Sequence, residues 1–115
     1  MGKHFIRAET FRVTFPDGEW CDIKQEFTQA DVDYIANKMM GANVSANGKM
    51  ETNVSVNFGK QATLERAIIA WSFVEDDKPV PVTSENISNL RTRYRIQLLA
   101  EIERLTTEAT APLKN

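Results

Sequence analysis

The chain has 115 residues, enough for one domain with a single hydrophobic core that needs no covalent staples. Apolar residues make up 42% and charged residues 26%, the balance of a globular rather than a disordered chain, and a net charge of −2 excludes a general attraction to nucleic acid or anionic membrane. With one cysteine, Cys21, and one histidine, His4, neither an intrachain disulfide nor a usual zinc ligand set can be assembled, and a reducing compartment fits.

From His4 to Phe15 the chain carries Phe5, Phe11, Val13 and Phe15. The last three alternate with Arg12 and Thr14, the period of a half-buried strand. Pro16-Asp17-Gly18 is a turn with a mechanism: proline presets φ, aspartate bonds nearby backbone, and glycine accepts positive φ. Alternation resumes from Glu19 to Phe27, with Cys21, Ile23 and Gln25 on one side, so a β-hairpin is predicted. Trp20 can serve a core or a binding surface. Thr28 then opens a short helix with Asp31 at the capping-box position and Phe27 with Val32 at staple spacing. Val32, Ile35, Ala36 and Met39 form its apolar face, and Gly41 is placed to end it. No apolar run approaches the length of a membrane span and no signal-peptide core follows Met1-Gly2-Lys3, so the sequons at Asn43, Asn53 and Asn86 are read as incidental.

Ala42 to Glu51 is rich in Asn, Ser, Gly and Ala, and Asn47-Gly48 is the strongest dipeptide for a hairpin turn, so a flexible tip is predicted before a strand over 52–58, where Val54, Val56 and Phe58 alternate. Beyond it, Leu64, Ala67, Ile68 and Trp71 fall at helical spacing from Gln61 onward, with Ile69 and Phe73 widening the stripe. Glu75, Asp76, Asp77 and Lys78 form an acidic turn, and Pro79 and Pro81 force an extended exit. Thr83 is placed as an N-cap with Glu85 in the first turn. The helix it starts carries Ile87, Leu90, Tyr94, Leu98, Ile102 and Leu105 as one continuous stripe. The expected fold is α+β: an N-terminal β-hairpin, a short helix, a strand, then two packed C-terminal helices. Residues 1–105 form one globular domain and 106–115, which lack a periodic apolar face, a C-terminal tail.

Chemistry finds little support. Glu75, Asp76 and Asp77 could offer carboxylates to a divalent cation, but adjacent residues in a turn rarely converge on one ion, and a solvated turn is the better reading. Arg91, Arg93 and Arg95 lie on one helix, where a solvated face or a protein contact outweighs phosphate binding in a net acidic chain. Gly41, Gly48 and Gly59 are isolated rather than arranged as a phosphate loop, and no serine or cysteine stands in an elbow or triad context. The chain is therefore read as no enzyme, without cofactor or metal.

The pattern Thr14-Phe15-Pro16-Asp17-Gly18-Glu19-Trp20, then Ala70-Trp71-Ser72-Phe73, Pro79-Val80-Pro81, Asn89-Leu90 and Tyr94 resembles small proteins of tailed-phage morphogenesis clusters. The similarity is to the tail assembly chaperones of long-tailed actinobacterial phages, and it spans most of the chain. It implies binding of the tape measure protein and organisation of tail-tube assembly in the host cytoplasm. A structural virion component, such as a head-tail connector, tail-associated or capsid-decorating protein, is the alternative, and a small enzyme or regulator with an unfamiliar site the third reading. The expected partners are phage structural proteins or a second copy of the chain, with no nucleic acid and no membrane. The expected interface lies on the last helix, where Ile96 and Leu99 sit off the core stripe and Arg91, Arg95 and Arg104 flank it.

Overall fold

Phe11, Val13 and Phe15 keep the alternation of a strand in the computed structural model, which describes the backbone of residues 9–45 and 52–110 and the side chains of 9–40 and 59–109. Strands β1 (Thr10–Thr14) and β2 (Trp20–Lys24) pair antiparallel with Val13 opposite Cys21 and Phe11 opposite Ile23. Val13, Phe15, Cys21 and Ile23 are buried on one face. The turn between them is closed by Gly18 N–H to Phe15 O (2.9 Å) and by the Asp17 carboxylate accepting from Glu19 N–H (3.0 Å), with Gly18 at φ +90°. That φ is one only glycine adopts without strain. His4, Phe5, the Asn47-Gly48 turn and residues 111–115 lie outside the described residues.

Helix α1 (Gln29–Ser45) begins in a capping box, with Asp31 N–H donating to Thr28 Oγ1 (3.2 Å) and Thr28 N–H to Asp31 Oδ2 (3.0 Å). It is not short: it passes through Gly41. Helix α2 (Thr52–Ala67) occupies the window expected as a strand. A seven-residue run fits two periods, since Val54, Phe58 and Ala62 also stand four apart, and the helical period is the one that lets α2 pair along α1. At Gly59 the two helices come so close that a Cβ would lie 3.0 Å from Met39 Sδ.

The helix stops at Ala67, and Ile68–Trp71 form strand β3, antiparallel to β2. Trp71 faces Cys21 and Ile68 faces Ile23, so two residues of β2 oppose a stretch of β3 that holds one extra, Ile69. This bulge explains the misleading helical spacing. In a regular strand, residues three apart face opposite sides; the extra residue lets Ile68 and Trp71 both point inward and leaves Ile69 48% exposed. A small ribbon follows, β4 (Val74–Glu75) and β5 (Lys78–Pro79), joined by Asp76 and Asp77 at φ 52° and 62°. Positive φ at both central residues is the signature of a primed two-residue hairpin turn.

The second of the two expected C-terminal helices, the one starting at Thr83, is itself two. Thr83 caps α3 (Ser84–Ser88) by accepting from Asn86 N–H, and α4 (Thr92–Thr110) starts after a break at Asn89 and Leu90. Asn89 N–H turns back onto Glu85 O and Asn86 O, and Ile87 O accepts from Leu90 N–H (3.2 Å) and from the Arg95 guanidinium (2.9 Å), so these carbonyls at the end of α3 keep partners. Helix α4 continues past Leu105 into the stretch expected as a tail. Arg104 bridges Glu101 and Glu108, both at 2.8 Å, along that last part.

The domain is α+β, with a three-stranded sheet in the order β1-β2-β3, a two-stranded ribbon and, among the described residues, four helices. The expected order is corrected throughout its second half: residues 52–58 are helix rather than strand, Ile68–Trp71 are strand rather than helix and lead into the ribbon, the last helix is split into α3 and α4, and the helices packed side by side are α1 and α2. The inner face of the sheet, with Leu64, Ala67, Ile87, Leu98 and Ile102 from α2, α3 and α4, makes the core. Phe15, Trp71, Phe73 and Tyr94 form an aromatic chain through it, with ring centroids 4.7–6.2 Å apart.

Candidate protein-interaction site

The five residues expected as an interface do not share one surface. Arg91 is exposed at the start of α4, where its carbonyl accepts from Tyr94 and Arg95 N–H. Arg95 turns inward and donates to Gln61 Oε1 (3.2 Å) and Ile87 O, tying α4 to α2 and α3. Leu99 packs against the core. Arg104 is held between two glutamates and over the Phe11 ring at 5.1 Å. Ile96 stands out from the domain, 63% exposed. Helical geometry places Ile96 roughly opposite Leu98 at ~100° per residue, and Leu98 is fully buried.

The apolar face read from the sequence on α1 is split, with Ile35 and Met39 half-buried and Val32 and Ala36 exposed. Val32, Ala36 and Met40 stand four apart and are all exposed, Val32 by 47% and Met40 by 63%. The residue just before Val32, Asp31, is the buried one. Its carboxylate receives Lys24 Nζ (2.9 and 3.0 Å), Arg66 Nε (2.8 Å) and Thr28 N–H. Burial alone would raise this carboxyl, but the hydrogen bonds from Lys24, the Thr28 N–H and Arg66 outweigh it and hold it at about 2. The ion pairs thus hold the Asp31 side of the helix against β2 and α2, with Ile35 and Met39 half-buried and Met39 against Gly59. The capping-box spacing showed Asp31 in the sequence; nothing local shows Lys24 and Arg66, which arrive from β2 and α2.

Beside α1 runs a groove. One part, about 570 Å³, is lined by Lys38, Gln61, Glu65, Ser84 and Ser88, and an adjoining part of about 340 Å³ by Tyr34, Glu65, Ile69, Val82 and Ser84. Glu65 accepts from Tyr34 Oη (2.6 Å), Gln61 Nε2 (3.0 Å) and the Ser84 hydroxyl. Burial opposes ionisation of Glu65, yet these donors hold its carboxyl below the ordinary value. Both Glu65 oxygens are taken by protein donors, which makes the network a brace between α1, α2 and α3. A third hollow of about 300 Å³ is lined by Phe15, Pro16, Asp17, Arg93, Tyr94 and Gln97. There the Tyr94 hydroxyl donates to Asp17 and Arg93 lies 3.6 Å from the same carboxylate.

Glu75, Asp76 and Asp77 are exposed in the ribbon turn, and among the described residues no three His, Cys, Asp or Glu side chains are grouped to hold a metal ion. Trp20 lies half-buried on the outer face of the sheet, covered by the Arg12 guanidinium 3.7 Å above its ring. Arg12 in turn forms a two-pronged pair with Asp22 (2.8 and 3.1 Å). No helix among the described residues is long and apolar enough to cross a membrane. No family model, curated protein or solved structure matches the chain.

Proposed function

We propose that this chain is a tailed-phage morphogenesis protein that works by binding other proteins, in the manner of a tail assembly chaperone holding the tape measure protein. The phage assignment rests on the sequence resemblance alone. The mode of action is supported by one observation: large apolar side chains remain on helix surfaces, Val32 and Met40 on α1 and Ile96 on α4, outside the core cluster of the described residues. Exposed apolar residues at helical spacing are what a helix offers to a protein partner. Arg91 beside the start of α4 adds a donor suited to a partner carboxylate.

Co-expression with the tape measure protein of the same gene cluster tests the reading. The native chain should co-purify with it, and Val32→Asp with Met40→Asp, or Ile96→Asp, should lower recovery at least tenfold while circular dichroism stays native, because exposed substitutions cost little stability, roughly 0.5 kcal/mol or less. Leu99→Asp, by contrast, should destabilise the fold. Absence of any complex with tail proteins, or recovery indifferent to all three exposed sites, would falsify the proposal. Mass spectrometry of purified particles separates the chaperone from a virion component, which alone would be found in them.

A further inference from the structure

Helix α1 is attached to the domain in an unusual way. The core draws side chains from β1, β2, α2, β3, the residues flanking the ribbon, α3 and α4, but none from the described side chains of α1. The one fully buried α1 side chain among those described is a carboxylate, Asp31. It is met by Lys24 from β2 and Arg66 from α2, and one turn further Tyr34 donates to Glu65 while Arg66 and Lys38 lie over its ring at 5.0 and 5.4 Å. Among the described residues of α2, Gly59 comes against Met39 of this helix and Ala62 lines the groove beside Lys38. Such small residues let helices approach closely but bury little apolar area, and area is what makes a helix expensive to remove.

We propose that α1 is a releasable element, latched to the sheet and to α2 by the Asp31 carboxylate, and that it opens as a unit while the sheet and α4 stay folded. Three features of the latch favour this. Among the described side chains, removing α1 takes none from the core cluster, which favours opening at the low end of the local stabilities within one fold. The two cations are partly in water, Lys24 29% and Arg66 36% exposed, so salt reaches the contact. Opening also joins Ile35 and Met39, now half-buried, to the exposed Val32, Ala36 and Met40 as one broad apolar face. The inference concerns the helix itself and holds whether or not the phage reading does.

Amide hydrogen exchange on the full chain tests it, comparing wild type, Asp31→Asn and Lys24→Gln at low and high salt. In wild type, α1 amides should exchange through an opening faster than the one that exposes β2 and α4. Asp31→Asn should reduce α1 protection on the order of 50-fold, the scale set by a carboxyl held at about 2 against an ordinary 3.8, and leave β2 and α4 unchanged. Lys24→Gln, which keeps Arg66 on the carboxylate, should give a smaller loss confined to α1, and molar salt should shift wild type the same way. If Asp31→Asn does not fold, the Lys24→Gln and salt measurements decide. The proposal is overturned if α1 is as protected as β2, if the substitutions weaken every element equally, or if α1 is indifferent to both charge removal and salt.

Discussion

Replacing Trp71 by alanine perturbs the point where the sheet, the ribbon and the aromatic chain meet. The indole is 9% exposed, sits 5.4 Å from Phe73 between ring centres, and donates from Nε1 to Val80 O at 2.6 Å. An aromatic side chain of this kind removes about 200 Å² from water, worth up to ~5 kcal/mol at 25 cal/mol per Å². A realistic unfolded reference lowers that figure, and a loss of roughly 3 to 5 kcal/mol is expected for the truncation. Trp71→Phe keeps most of the ring contact and loses the donor to Val80, so it should cost about 1–2 kcal/mol, mainly the unpaired carbonyl. Urea unfolding followed by fluorescence of Trp20 measures both. With slopes of about 1–3 kcal/mol per molar, the alanine variant should lose at least ~1 M in midpoint, and the phenylalanine variant a fraction of that. Equal midpoints for wild type and Trp71→Ala would refute the placement of this side chain in the core. Equal midpoints for Trp71→Phe and Trp71→Ala would refute the ring packing specifically.

Two further outcomes follow from the ionisable groups. The folded-state value of Asp31 is depressed, from an ordinary 3.8 to about 2, so its charge contributes stability fully above pH ~4 and loses it as pH falls through 2; the depression corresponds to roughly 2 kcal/mol. The stability gap between wild type and Asp31→Asn should therefore close between pH 4 and pH 2, and a gap constant from pH 6 to pH 2 contradicts the ion pairs. Cys21 is fully buried, and burial, aided by Asp22, pushes its thiol up to about 12. An aromatic disulfide reagent at pH 8 should label it only as fast as the domain opens, whereas native labelling at the rate of a free thiol would place it at the surface.

The N-terminal hairpin was legible because its information is local. Alternation at Phe11, Val13 and Phe15, the chemistry of Pro16-Asp17-Gly18, the Thr28–Asp31 box and the Thr83 cap each act within a few residues, so the sequence by itself determines where those elements begin and turn. The stretch from Thr52 to Trp71 was not legible, and the reason is that both of its periods are ambiguous within the windows that carry them. Val54, Val56 and Phe58 fit a strand in isolation, but α1 supplies the helical partner for α2. Ile68 and Trp71 fit a helix, but the bulge opposite Asp22 and Ile23 places residues three apart on one face of a strand. The interface residues failed to converge for a related cause: helical spacing puts Arg91 and Arg95 on one face, while the carbonyl of Ile87 and the amide of Gln61 draw Arg95 inward. Likewise the apolar stripe of α1 was visible, yet the buried Asp31 beside it depends on Lys24 and Arg66. Those cations stand 7 and 35 residues from Asp31 and reach it only in the folded chain. Local chemistry thus determined caps, turns and the first strands, whereas the tertiary structure decided every choice in which two periods, or two faces, competed and a distant partner broke the tie.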